Sequence, residues 1–317
     1  MEHTGLLDIH HLCVRYPCGK EILRDVSLHM HEGEIVCVIG ESGCGKSTLL
    51  NAVLRLPRRV RIPAGEVIYR GHNLLSLTER EMRSVRGTGL GVVFQEPGAS
   101  LDPIRKIRVQ FYEAMRAHER ISRKASAEKA EEILGRMEFK DPRRVLESCP
   151  AQLSGGMNQR VATALAMVLK PDILLADEPT SALDVTVQAQ IINELMRLRD
   201  EFGTCIVMIT HDMGVVAKMA DKVAVMYAGR VVEYGYRESV LRAPSHPYTR
   251  ALMEAIPRLD GTFPKGIPGQ MTETFPARGC AFAPRCPHTR KECISKEMQQ
   301  ISLHAEHWTL CREGEKT

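Results

Sequence analysis

Residues 40–47 read Gly-Glu-Ser-Gly-Cys-Gly-Lys-Ser, between an apolar run that ends at Ile39 and a helix-forming run that begins at Thr48. No other segment restricts the fold of the chain as strongly. Glycine, four residues, then Gly-Lys-Ser is the phosphate-loop pattern, which requires a buried strand before it and a helix after it. Gly40, Gly43 and Gly45 let the backbone take φ > 0 and curl its N–H groups around an anion, while the following helix presents the positive end of its dipole. Lys46 then reaches the β- and γ-phosphates of a nucleotide, and the Ser47 hydroxyl ligates Mg²⁺. The nucleotide-binding set expected from this segment is Gly40, Glu41, Ser42, Gly43, Cys44, Gly45, Lys46, Ser47 and Thr48.

A second apolar run, Ile173-Leu-Leu-Ala, ends in Asp177 and Glu178. That places carboxylates at the carboxyl end of a parallel strand, where open α/β sheets bind their ligands. Asp177 is expected to hold the Mg²⁺ water shell, and Glu178 to polarise the water that attacks the γ-phosphate. A third segment, Leu153-Ser154-Gly155-Gly156-Met157, opens a helical run to Lys170. A serine cap beside two glycines leaves N–H groups bare at a helix start, which makes a second anion site. One nucleotide does not readily use both sites of one fold unit, so this surface is expected to close on a γ-phosphate held by another subunit.

The spacing of the rest predicts the organisation. Short β-rich runs at 5–16, 22–30, 34–39, 65–69 and 91–94 form a strand-dominated lobe with one helix, starting near Lys46. Residues 102–169 turn to charged helix formers, broken at Asp141-Pro142 and Cys149-Pro150. Buried strands return at 173–176, 205–210 and 222–227, with a helix at 185–202 between the first two, which predicts a parallel sheet. Beyond Gly235 the proline density argues against long helices and central strands and marks a separate loop-rich tail. No run approaches the ~20 apolar residues of a bilayer-spanning helix. The first eight residues, Met-Glu-His-Thr-Gly-Leu-Leu-Asp, lack the pattern of a secretory leader. A net charge of +4 demands no nucleic acid.

The order of these segments resembles the ATP-binding cassette (ABC) family, whose signature Leu153 to Met157 matches. The resemblance covers about residues 1–240 and implies an ATPase with ATP and Mg²⁺. Its fold is a P-loop NTPase cassette: an α/β, RecA-like parallel-sheet core with a β-rich N-terminal lobe and a helical signature subdomain at about 102–169. It implies that Tyr16 stacks on adenine, that Gln95 links Mg²⁺ to a membrane partner, and that His211 contacts the γ-phosphate. Ser181-Ala182-Leu183-Asp184 follows the subunit interface, and Ser154, Gly155, Gly156 and Gln159 act in trans. The catalytic group is thereby Glu178, His211, Lys46 and Gln95, with Mg²⁺ on Ser47, Gln95 and Asp177.

The tail at 241–317, with Ser245-His246-Pro247-Tyr248 and Gly279-Cys280-Ala-Phe-Ala-Pro-Arg285-Cys286-Pro287, resembles the C-terminal extension of oligopeptide and dipeptide importer ATPases, to which nickel importer subunits are close. The segment Glu96-Pro-Gly-Ala-Ser-Leu-Asp-Pro103 is similar to that group too. Of ten cysteines, Cys280, Cys286, Cys293 and Cys311 crowd this tail, and four thiolates suit either tetrahedral Zn²⁺ or an iron–sulfur cluster. The resemblance selects a [4Fe-4S] cluster, structural or regulatory, with nothing tying it to the phosphate motifs.

The expectation is an ATPase subunit peripheral to the cytoplasmic face of the cell membrane, powering import of dipeptides or oligopeptides. Its partners would be two transmembrane permease subunits, a second ABC ATPase subunit (a heterodimer favoured over a homodimer) and an extracytoplasmic solute-binding protein. The alternatives are import of nickel or another small solute, and a soluble ABC ATPase acting on nucleic acid. The second usually carries two cassettes or a long coiled-coil insertion, and the chain shows neither. A P-loop kinase or GTPase leaves Leu153 to Met157 unexplained.

Overall fold

The strand Ile35–Ile39 is buried at every position, as its unbroken apolar sequence demands of a strand covered on both faces. The computed structural model describes residues 5–56, 60–96, 100–181, 183–256, 266–271, 278–304 and 306–311. Met1 to Thr4, Pro97, Gly98 and Ala99 of the segment after Glu96, Ala182 of the loop before Asp184, and the tail residues Pro257, Pro264 and Pro276 lie outside them. By its internal contacts the chain divides into two units, Met1–Leu75 with Ile209–Thr317, and Ser76–Met208.

In the first unit, a four-stranded antiparallel sheet runs in the order Glu21–Met30, Leu7–Arg15, Arg61–Tyr69, His72–Asn73. Beside it, Ile35–Ile39 pairs in parallel with Lys222–Tyr227, Val36 opposite Lys222 and Ile39 opposite Val225. Arg230–Tyr236 then adds antiparallel to Lys222–Tyr227. The tail contributes more regular structure than its prolines suggest. His307–Thr309 pairs with Arg230–Tyr236 and with Ile301–His304. Pro247 begins the helix Pro247–Glu254, where its missing N–H costs nothing.

The second unit pairs Leu90–Val93 in parallel with Ile173–Asp177, Leu90 opposite Ile173 and Val93 opposite Ala176, and Cys205–Ile209 follows on the far side of Ile173–Asp177. Its helices begin where short polar side chains can cap them. Ser122 caps Arg123–Arg136, Asp141 caps Pro142–Glu147, Ser154 caps Gly155–Met167, and Asp184 caps Val185–Phe202. Gly203 at φ 69° ends the last of these. Among the first 95 residues a second helix, Glu79–Val85, joins the one predicted. A reciprocal capping box between Thr78 and Glu81 starts it.

Candidate functional site

In the first unit the chain leaves Ile39 and turns at Gly40, where φ is 149° and a Cβ would sit 2.1 Å from the Met226 carbonyl oxygen. Only glycine fits so close to the neighbouring strand. The loop ends at Gly45, φ 107°, the N-cap of the helix Lys46–Val53, whose first turn carries no acidic residue. That N-terminus is electrostatically open to an anion. The Lys46 ammonium donates to the carbonyls of Gly40 at 2.8 Å and Glu41 at 3.0 Å, so it is held inside the curl of the loop. These bonds carry a charge on the donor only, whereas a phosphate oxygen adds an opposite charge on the acceptor and takes the ammonium more strongly. Ser42, Gly43 and Ser47 are exposed, while Cys44 is buried; burial pushes its thiol above the usual range.

A cleft of about 630 Å³ flanks the loop, lined by Tyr16, Lys20, Ser42 and Gly43 and by Gly269 and Met271 of the tail. Tyr16 is 44% exposed, so its ring is available for stacking. His211 follows the strand Cys205–Ile209, and the neighbouring Thr210 N–H donates to the Val38 carbonyl at 3.3 Å. The turn that carries His211 is thus fastened to the strand that feeds the phosphate loop.

In the second unit Glu178 stands just past Ile173–Asp177 with φ at 45°, a left-handed conformation that costs a non-glycine residue about 1–3 kcal/mol and recurs at functional sites. Both the N–H and the hydroxyl of Ser181 donate to the Glu178 carbonyl, at 3.1 and 3.0 Å. The Gln95 amide donates to the Glu178 carboxylate at 3.4 Å. Sequence-distant Gln95 and Glu178 are therefore brought together. At the signature helix, Ser154 and Gly155 are exposed, and the Ser154 hydroxyl accepts from the Met157 N–H at 3.3 Å. A Cβ on Gly155 would meet nothing within 4 Å, whereas one on Gly156 would approach Val187 to 2.9 Å. The Asp184 carboxylate accepts from the Thr186 and Val187 N–H groups at 3.0 Å each, fixing the start of the next helix.

Two of the expected site residues are engaged within the chain. Gln159 is 2% exposed and its amide donates to the Phe94 carbonyl at 3.4 Å. It is an internal tie on the inner face of its helix. Glu41 is in the loop, but its N–H donates to the Tyr248 hydroxyl at 2.9 Å and its carboxylate takes Arg285 at 2.7 and 3.0 Å. Its N–H is thus committed away from a phosphate.

The same contacts tie the tail to the phosphate loop. Arg285 also donates to the Pro268 carbonyl at 2.7 Å and to the Tyr227 hydroxyl at 3.3 Å. The hydrogen bonds to Glu41 hold its guanidinium above even its usual range. Beyond Arg285, the four late cysteines line one cavity of about 200 Å³ together with His246 and Phe282. Burial, reinforced by the other three thiols, pushes Cys280 up to about 11, so thiolates persist there only beside positive charge. Among the described residues no three of these sulfurs lie within 4.8 Å of one another. Four thiolates at ~2.3 Å from a single Zn²⁺ would be closer than that. His246 Nδ1 accepts from the Tyr248 N–H at 3.0 Å, and burial lowers its pKa to about 4. The neutral ring therefore carries its proton on Nε2, which is buried without a partner.

Residues 23–181 match the family described as ABC transporter. The chain belongs to the ABC transporter family. As an ABC ATPase it hydrolyses ATP. Residues 232–293 of this cassette protein match the description "Oligopeptide/dipeptide transporter, C-terminal region". A probable peptide ABC transporter ATP-binding protein of Sinorhizobium fredii is 42% identical over 96% of this chain and 94% of its own. The dipeptide transport ATP-binding protein DppD of Bacillus subtilis is 38% identical over 90% and 87%. Among solved structures, a dimeric ATP-binding cassette in a post-hydrolysis state with ADP and Pi is 30% identical, with a TM-score of 0.65 over 73% of this chain and 98% of that one. The ABC reading of the motifs was legible from sequence. Arg285, Tyr248 and the cleft wall at Gly269 and Met271 were not, because no spacing rule links them to the loop.

Proposed function

We propose that this chain is the ATP-hydrolysing, nucleotide-binding subunit of an importer of dipeptides or oligopeptides. The observation that carries the reading is the tail, whose match to the peptide-transporter C-terminal region adds a specific element to the generic cassette. Among the described residues no helix is long and apolar enough to cross a membrane. The chain would act at the cytoplasmic face, beside two permease subunits and a second ATPase subunit, and serve an extracytoplasmic binding protein.

In this reading the loop N–H groups and Lys46 take the β- and γ-phosphates, and Tyr16 stacks on the base. Ser47, Gln95 and Asp177 are hard oxygen donors of the kind Mg²⁺ binds, and the ion supplies charge neutralisation at the phosphates. Glu178 accepts a hydrogen bond from the attacking water, with Gln95 steadying its carboxylate; His211 contacts the γ-phosphate. Ser154 and Gly155 present the second helix N-terminus to a nucleotide on the partner cassette, so hydrolysis removes the anion that bridges the two. Cys280, Cys286, Cys293 and Cys311 would hold the [4Fe-4S] cluster that the tail's resemblance implies; what supports this reading is the cavity that the four thiols share.

The test is uptake. A strain lacking this chain should lose import of labelled di- and oligopeptides and regain it from the wild-type gene but not from Glu178→Gln. Loss of nickel uptake with peptide import intact would overturn the substrate assignment. For the cluster, anaerobically purified protein should contain about four iron and four labile sulfide per chain. Stoichiometric zinc without iron would end that part of the proposal.

A further inference from the structure

Glu41 is a carboxylate inside a loop built to bind a triphosphate, and its neighbours account for it. Its side chain receives a two-pronged guanidinium bond from Arg285, its N–H is taken by Tyr248, and its carbonyl accepts from Lys46. Two of these three partners belong to the tail, more than 200 residues away, as the separations of 244 and 207 show. The Arg285 side chain is only 6% exposed in this ion pair. Its ring neighbours are Tyr227 at 5.8 Å and Phe282 at 5.9 Å. Arg285 is therefore packed in place, with Nε on the Pro268 carbonyl at 2.7 Å and further Nη hydrogens on the Tyr227 hydroxyl and the Ile267 carbonyl. Pro268 directly precedes Gly269, where the tail begins to line the cleft beside Tyr16 and Gly43. Across that cleft the Met271 methyl lies 3.7 Å from where a Cβ on Gly43 would be.

We infer that Arg285 is a positioning residue for ATP binding, through which the tail completes the nucleotide cleft. It does two things through one guanidinium. It neutralises Glu41, which would otherwise place a bare negative charge beside the triphosphate. It also holds the 266–271 segment against the phosphate loop, making the tail a wall of the site. The Arg285 guanidinium is spent on Glu41, Tyr227 and the tail backbone, so its contribution is to nucleotide binding and not to the chemical step. The inference rests on the ATPase reading of the loop and extends it to a residue outside the cassette motifs.

The experiment compares full-length wild type, Arg285→Ala, Arg285→Lys, Glu41→Gln and the double variant Glu41→Gln/Arg285→Ala in the assembled transporter with Mg-ATP. Arg285→Ala should raise the KM for ATP about tenfold while kcat stays within about twofold. Arg285→Lys keeps a charge but not the fork, and should fall between the two. Because part of the cost of Arg285→Ala is the bare Glu41 charge, adding Glu41→Gln to Arg285→Ala should recover part of the loss, the remainder being the lost hold on the 266–271 segment. A KM unchanged in Arg285→Ala, a fall in kcat at constant KM, or additive losses in the double variant would each overturn the inference. Lys46→Ala run in parallel separates the two levels. If it too leaves ATP binding unchanged, the phosphate-loop reading fails; if it abolishes binding while Arg285→Ala does not, only the present inference fails.

Discussion

Single residues carry the chemistry of this chain in distinguishable ways. Glu178→Gln keeps the shape of the side chain at its left-handed backbone position but removes the carboxylate. ATP binding should persist while kcat falls about 100- to 10,000-fold, measurable as phosphate release by the assembled transporter. Lys46→Ala should instead weaken ATP affinity at least about tenfold by calorimetry, since it removes the charge directed at the phosphates. A different residue governs acid stability. Lys222 is fully buried and pairs with Glu34 and Glu306 at 2.7 Å each. Burial, the largest influence on Glu306, works to raise its pKa, but hydrogen bonds from Lys222, His31 and Tyr236 outweigh it and hold the carboxyl at about 2. A depressed carboxyl pKa stabilises the fold above its unfolded value of about 4.3, and that contribution is lost as the pH falls toward 2. Glu306→Gln should lower stability by about 1–3 kcal/mol at pH 7, with the deficit shrinking below pH 4 in thermal melts.

At the level of elements, the signature helix is set by a buried charge as well as by its cap. Arg160 pairs with Glu194 of the helix Val185–Phe202 at 2.7 Å, with side chains 11% and 2% exposed, and stacks over the Phe139 ring at 4.3 Å. Removing one partner of such a pair strands the other, at about 3–5 kcal/mol. Arg160→Ala should therefore lower the melting temperature sharply, and Arg160→Met combined with Glu194→Leu should recover most of the loss. The contact between Gly156 and Val187 joins the same two helices at their N-termini, so the exposed Ser154 and Gly155 are displayed from a rigid base.

For the whole molecule, the proposed composite site makes assembly a condition of activity. The dilute monomer should bind ATP and hydrolyse it poorly. Gly155→Asp tests the arrangement cleanly, because a side chain at Gly155 meets nothing within 4 Å and an acidic residue in a first helical turn is favourable within its own chain. The variant should fold and bind ATP as the wild type does, yet, paired with a wild-type partner cassette, lose hydrolysis at the site whose γ-phosphate the carboxylate would face, the nucleotide held by the partner. Unimpaired hydrolysis by that pair would contradict the proposed assembly.

What the amino-acid sequence determined by itself was local. The strand Ile35–Ile39, the glycines of the loop and the helix from Lys46 form one contiguous pattern, and the helix Val185–Phe202 and the strand Lys222–Tyr227 announce themselves by periodicity and by runs of buried side chains. Tertiary structure alone decided the rest. The burial of Gln159 depends on which face of its helix meets Phe94. The tail hairpin exists as part of a sheet because His307–Thr309 finds the edge of Arg230–Tyr236. Arg285 and Glu41 meet across 244 residues of chain. Contacts of this kind leave no period or spacing in the sequence, since their geometry is set by how remote segments pack and not by the order of neighbouring residues.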